Sequence, residues 1–367
     1  MKNLKIIKLS IDSRVFYFNP GINLVIGSNA TGKTTTFRCI KHALGLSLDL
    51  PFPYFRKIDL IVKIGSAEYC FTRENGTPLV HIESDNERDR FRALSEPLNE
   101  FLKQIFEPKF AIGTRLTSIF PILEFCFFSD EDRPTSKLLS SGFRLICGAN
   151  DKLIAAALND VEILQTQIRS DENFLRKNDQ FVNDFLANLG NNSSPLIENI
   201  ERALKITRDE ITHSLTEKQD LLDFSSSKIK ELRKENETQY SFASQEIERT
   251  FIALGEEIMN LRAGSLKIDN VLTRRSENFS YGQTLTLNFL FFLSVARKKS
   301  FIDLNMPNLY INDSMGSRSL DSRNLKDIDE LLVAQAGDDQ DFQYIEFTHS
   351  ERALSEFVVA NLNTKER

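Results

Sequence analysis

A chain of 367 residues that is 41% hydrophobic and 27% charged has the composition of a globular protein, and its length calls for two domains or one domain with a large insertion. A net charge of −6, from 46 basic against 52 acidic side chains, argues against indiscriminate polyanion binding but leaves room for a local basic groove. Cys39, Cys70, Cys126 and Cys147 show no C-x-x-C or metal-ligand spacing, no cationic leader pattern opens the sequence, and the apolar run from Leu287 to Ala296 is too short to span a bilayer. A reduced, soluble, cytoplasmic chain without a membrane partner is expected.

In chain order, Leu4 to Ile11 and Val15 to Phe18 read as strands, Asn19-Pro20-Gly21 as a turn, and Ile22 to Ile26 as a buried strand. Gly27-Ser28-Asn29-Ala30-Thr31-Gly32-Lys33-Thr34, followed by Thr35, fits G-x-x-x-x-G-K-[ST]. By average residue frequencies the match arises by chance in about one chain in a hundred of this length. Helical spacing at Phe37, Ile40, Ala43 and Leu44 completes the strand, loop and helix that a phosphate loop requires. Glycines let backbone N–H groups turn inward around a phosphate, and the helix N-terminus adds partial positive charge. Lys33 can reach the β and γ oxygens, and the Thr34 hydroxyl can ligate Mg²⁺, so the chain is expected to bind a nucleoside triphosphate.

A hairpin follows at Ile58 to Ile64 and Glu68 to Thr72, then helical spacing from Leu94 to Ile105, then the apolar stretch Phe120 to Phe128, which ends in Ser129-Asp130-Glu131-Asp132. From about residue 150, Ile154, Val161, Ile168, Leu175, Val182 and Leu189 recur every seven residues. Ala157, Leu164 and Phe185 form a second row that Asp171 and Asn178 interrupt. Gly190 to Pro195 breaks this helix. The spacing restarts at Ile197, Leu204 and Ile211 and slips by four residues to Leu215, Leu222 and Ile229, which is a stutter. An antiparallel coiled-coil hairpin with an arm of about 55 Å is expected, with Ser225-Ser226-Ser227 a candidate kink and a compact helical subdomain the alternative. After Gly264 the globular texture resumes. An apolar helix covers Leu285 to Val295, a strand ends at Asn312-Asp313, and an amphipathic helix runs from Leu325 to Val333. The strand Phe342 to Phe347 then leads to Thr348-His349-Ser350 and a final helix.

The order of phosphate loop, helical hairpin, Phe279-Ser280-Tyr281-Gly282-Gln283, Asn312-Asp313-Ser314, Ser319-Leu320-Asp321 and Phe347-Thr348-His349-Ser350 resembles the SMC-like ABC ATPases across the whole chain. That resemblance implies an α/β ATPase head built from an N-terminal lobe (1–148) and a C-terminal lobe (263–367), with a coiled-coil hairpin inserted at 149–262 and its loop near 190–195. It implies ATP and Mg²⁺ as cofactors, with Thr34 and Asp313 on the metal. Ser280, Tyr281, Gly282 and Gln283 would be the signature that faces the partner's phosphate loop in a head-to-head homodimer. Asp321 matches the D-loop and His349 the switch histidine.

Two departures stand out. Ser314 occupies the position where the family has a glutamate base, and a serine has no useful pKa for that work. Asn312 and Asp313 could alternatively fill the Asp and Glu positions. No glutamine is visible where Ser129 to Asp132 should supply the Q-loop; those residues either serve Mg²⁺ or water or form a solvated acidic turn. Hydrolysis is expected to be slow or partner-dependent, with a nucleotide-locked scaffold as the alternative. Heads with Asp-Ser at this point and a short coil resemble bacterial defence ATPases, implying double-stranded DNA and a separate effector as partners. Basic clusters at Arg274-Arg275, Arg297-Lys298-Lys299 and Lys228, Lys230, Arg233 and Lys234 are either solvated faces or phosphate tracks. No nuclease constellation is evident.

Overall fold

The computed structural model describes residues 1–28, 30–49, 54–84, 87–109, 116–129, 136–189, 195–259, 267–268, 281–299, 301–313, 322–349 and 354–363. The chain divides into two compact units, one of residues 1–112, 116–149 and 238–367, the other of 113–115 and 150–237.

The first unit is built on two sheets. Strands β1 (Leu4–Ile11), β2 (Arg14–Tyr17), β4 (Lys57–Ile64), β5 (Ala67–Glu74), β6 (Leu79–Glu83) and β7 (Arg88–Arg92) pair antiparallel in the order β2-β1-β4-β5-β6-β7. In β4, buried Ile58, Leu60, Val62 and Ile64 alternate with more exposed positions, the pattern of a sheet with one face on a core. The β6–β7 hairpin escapes sequence reading because Arg88-Asp89-Arg90-Phe91-Arg92 carries almost no apolar alternation.

The second sheet is wholly parallel. It combines β3 (Gly21–Ile26), β8 (Phe127–Ser129), β9 (Leu309–Asp313), β10 (Gln343–Thr348) and β11 (Val358–Asn361) in the order β11-β3-β10-β9-β8. Ile22 to Ile26 are all buried, as a strand covered on both faces requires. Helix α1 (Lys33–Ala43) covers one face, where Phe37 meets Phe127 and Phe347 edge-on at 5.8 and 6.2 Å. The other face stacks Tyr310 and Tyr344 beneath Phe292 and Phe289 of a later helix, Tyr281–Lys299. Buried Gln343 joins the two sheets. Its amide accepts from the Ile6 N–H at 2.7 Å and donates to the Ile6 carbonyl at 2.8 Å, beside the bulge between Ile6 and Lys8 in β1.

Helices α2 (Glu96–Phe106), α3 (Phe120–Glu124) and α4 (Ser136–Ile146) complete the N-terminal part. Helix α2 starts at the Ser95 cap and turns Leu98, Leu102 and Phe106 into the core. Then come α5 (Asp151–Leu189), α6 (Pro195–Met259), α7 (Tyr281–Lys299) and α8 (Ser322–Asp338). One expectation is corrected: where a final helix was read after Ser350, Ser355–Phe357 make a single 3-10 turn and Val358–Asn361 form the edge strand β11.

The second unit is a pair of helices from α5 and α6. Ile154 and Ile168 are buried and Val161, Leu175 and Val182 half-buried, while Leu204, Ile211, Leu215, Leu222 and Ile229 turn inward along α6, slip included. The stutter is therefore real. Asp171 interrupts the apolar row because it meets Lys218 across the seam at 2.5 Å; Asp179 and Arg208 lie 3.4 Å apart further along. These pairs fix the helices as antiparallel. Ser225 to Ser227 remain helical inside α6, so the helix is not interrupted there. At 1.5 Å per residue, the 39 residues of α5 extend about 58 Å.

Candidate functional site

Four parallel strands deliver their carboxyl ends to one edge of the sheet, the place where open α/β sheets bind ligands. Thr348 is in register with Ile26, Phe347 with Asp313, and Ser129 with Asp313. Beyond Ile26 the chain turns into the phosphate loop, whose Gly27 N–H donates to the Thr348 carbonyl at 3.1 Å.

The loop is tightly wound. Ala30 and Gly32 take positive φ of 62° and 95°, and a side chain at position 32 would be strained. A Cβ at Gly27 would lie 2.4 Å from the Thr31 hydroxyl, which itself donates to the Ser28 carbonyl at 2.9 Å. Gly32 caps α1 without a side chain, the first turn carries no acid, and Thr36 closes back onto the Gly32 carbonyl through both its N–H and its hydroxyl at 2.8 Å. The amides of Lys33, Thr34 and Thr35 thus open a helix with no carboxylate of its own to neutralise it, an arrangement that favours an anion.

Lys33 is buried. Its ammonium donates to the carbonyls of Gly27 at 2.6 Å and Ser28 at 2.7 Å and lies 3.3 Å from His349 Nδ1. Burial lowers the Lys33 pKa, and the Asp313 carboxylate opposes that shift. Asp313 is buried at the end of β9, on the face that Phe347 shares with α1. Alternation along β9 turns Asn312 to the opposite face. There its amide reaches the Tyr344 hydroxyl at 3.5 Å, and that hydroxyl donates to Glu346 at 2.7 Å. Lys33, Thr34, Asp313, Ser129 and His349 therefore gather at one sheet edge, while Asn312 belongs to the core under α7.

A triphosphate and a hard cation suit this donor set: an ammonium, an uncapped helix start, a half-buried threonine hydroxyl and one carboxylate. Among the described residues there is no cluster of three or more His, Cys, Asp or Glu able to hold a metal by itself.

Asn29, Ser280, Ser314, Asp321 and the acidic run Asp130 to Asp132 lie outside the described residues, as do Arg274 and Arg275. Tyr281 and Gly282 open α7, with half-buried Gln283 in its first turn. The remaining basic clusters are largely committed to the protein itself. Lys298 pairs with Glu246 at 3.0 Å, and Lys228 pairs with Glu231 at 2.6 Å. Lys299 reaches Asn3 at 2.5 Å, and burial pushes its amine down to about 8. Sequence reading missed Asn363, whose side chain holds the loop, because no motif marks it.

The fold is that of an ABC-type P-loop ATPase head with a coiled-coil hairpin. The chain belongs to the AAA domain family, whose match covers residues 1–263. Solved structures that share its fold include two Smc heads. One is the Smc head domain of Pyrococcus furiosus with an extended coiled coil, bound to the C-terminal domain of ScpA, at 13% identity over 95% of this chain and 90% of that one, with a TM-score of 0.53. The other is the Smc head domain of Pyrococcus yayanosii with a coiled coil and joint, at 12% identity over 95% and 92%, with a TM-score of 0.56. No curated protein matches the sequence.

Proposed function

We propose that the chain is an ATPase head that binds MgATP in the phosphate loop, dimerises head to head on it, and uses that cycle to clamp or sense double-stranded DNA and gate a separate effector in DNA repair or anti-phage defence. The nucleotide part rests on Lys33, buried within reach of its own loop, of His349 and of the Asp313 charge. In this reading Lys33 exchanges the Gly27 and Ser28 carbonyls for β and γ oxygens, and the N–H groups of Lys33, Thr34 and Thr35 take the remaining phosphate charge. Gly27, Ser28, Asn29, Ala30, Thr31 and Gly32 shape the cradle. Thr34 and Asp313 would hold Mg²⁺, which would supply Lewis-acid stabilisation of the phosphates. His349 hydrogen-bonds the attacking water or the terminal phosphate.

Ser280 and Gly282 of a second copy close the site, with Tyr281, Gln283 and the D-loop Asp321 beside them. Size measurement by light scattering tests this part. MgATP should convert monomer to dimer, and Ser280→Arg should block the dimer while leaving ATP binding intact. ATP binding without any dimer would sink the sandwich.

The DNA part draws support from edge strand β7, which exposes Arg88, Arg90 and Arg92 on one face, Arg88 being paired with Glu83. The ScpA domain on the Pyrococcus furiosus head supports docking of a separate subunit. No helix among the described residues is long and apolar enough to cross a membrane.

A second reading, a nucleotide-locked scaffold with little turnover, is favoured by Ser314 directly after Asp313, where a base is wanted. ATP-dependent dimers whose bound ATP persists would establish it.

A further inference from the structure

The last described strand ends against the phosphate loop. β11 runs parallel to β3 with Val358 beside Leu24, Ala360 beside Val25 and Asn361 beside Ile26, and a bulge falls between Val358 and Ala360. The Leu362 N–H then donates to the Ile26 carbonyl at 2.8 Å, and a Cβ at Gly27 would come within 3.0 Å of the Leu362 Cβ. The next residue makes the decisive contact: the Ser28 N–H donates to Asn363 Oδ1 at 2.7 Å. The Asn363 backbone N–H in turn donates to Asn361 Oδ1 at 3.0 Å, which fixes the turn.

The Ser28 N–H and the Gly27 carbonyl belong to one planar peptide unit and point in opposite directions. Asn363 holds the N–H end and Lys33 holds the carbonyl end, at 2.6 Å. Rotation of this peptide would move the carbonyl against which the Lys33 ammonium rests. Ser28 contributes a second carbonyl to Lys33 at 2.7 Å, so two of the three groups around that ammonium depend on the orientation of the same short segment.

We propose that Asn363 is a positioning residue for the nucleotide: it sets the Gly27–Ser28 peptide and thereby the resting place of Lys33. Resting on the reading of the loop as an ATP site, the inference adds a control point at the outer edge of the sheet. β11 is an edge strand whose half-buried Val358, Val359 and Ala360 pack on the rim of the core, while Asn361 at its end is exposed. Whatever displaces Asn363 weakens ATP binding without touching Asp313 or His349.

The test is equilibrium binding of a fluorescent ATP analogue with Mg²⁺, run with steady-state hydrolysis and thermal melting on the full chain. Asn363→Ala should raise the nucleotide Kd and KM by about 3- to 10-fold, the loss of one hydrogen bond, while kcat stays within about 2-fold and melting is unchanged. Asn363→Asp keeps an acceptor oxygen in place. Its affinity should return toward that of the original chain in about 0.5 M salt, where the added charge is screened. Ser28→Pro removes the donor, so Asn363→Ala added to it should cost nothing more. Unchanged affinity in Asn363→Ala, or a loss that tracks a fall in melting temperature, overturns the positioning role. If the original chain binds no ATP and matches Lys33→Ala, the site reading falls first and this inference with it.

Discussion

The Lys33 ammonium lies 3.3 Å from His349 Nδ1, bringing the start of α1 and the end of β10 together across 316 residues. An ammonium can only donate, so this contact is a hydrogen bond when Nδ1 is the unprotonated ring nitrogen. The lysine proposed to bind phosphate and the histidine proposed as the switch are thus in direct contact.

That contact predicts a separation of roles. Lys33→Ala should weaken ATP binding by more than about 10-fold, because it removes a charge-assisted phosphate contact. His349→Ala should leave ATP affinity within a few-fold and lower kcat by about 100-fold, as loss of a water-positioning group does. Asp313→Asn should reduce the response of binding to Mg²⁺. Fluorescent-nucleotide titration beside steady-state turnover separates the three outcomes.

The phosphate loop was legible in sequence because its chemistry is local: eight consecutive residues carry the glycines, the lysine and the hydroxyl. The heptads of α5 and the slip in α6 were legible for the same reason, since periodicity is a property of neighbouring residues. What could not be read were contacts made over long sequence distances. Asn363 on Ser28, Gln343 on Ile6 and Ser129 beside Asp313 depend on sheet order and register, which no local pattern encodes. Strand β11 was mistaken for a helix because a short half-buried edge strand leaves little alternation to detect.

The Asp171–Lys218 pair is predicted to stabilise the coiled coil across its seam. Both side chains are partly exposed, so a double-mutant cycle with Asp171→Ala and Lys218→Ala should return a coupling of about 0.5 kcal/mol. Zero coupling, measured by chemical denaturation, would contradict a stabilising role for the pair.

His42 predicts acid sensitivity. It is buried at the end of α1, and burial, assisted by the Arg73 charge, pushes its imidazole from 6.5 down to about 4. The unfolded chain therefore binds a proton that the folded chain refuses between these values. Its contribution is complete above pH 6.5 and is lost as pH falls toward 4, by on the order of 3 kcal/mol. Denaturant melts at pH 7 and 4.5 should show a smaller pH difference in His42→Gln than in the original chain. An equal difference would remove His42 from the account.

The exposed arginines of β7 give the DNA proposal a specific prediction. Arg90→Ala with Arg92→Ala should lower affinity for a double-stranded oligonucleotide and reduce the slope of log K against log salt by about 2. An unchanged slope would place any DNA contact elsewhere.

The most direct test of the central claim is ATP hydrolysis by the purified chain with Mg²⁺, with and without double-stranded DNA, beside Lys33→Ala. The account predicts turnover that is slow alone, rises with DNA or a partner subunit, and disappears in the variant. ATP turnover that survives Lys33→Ala, or a complete failure to bind ATP, would contradict it.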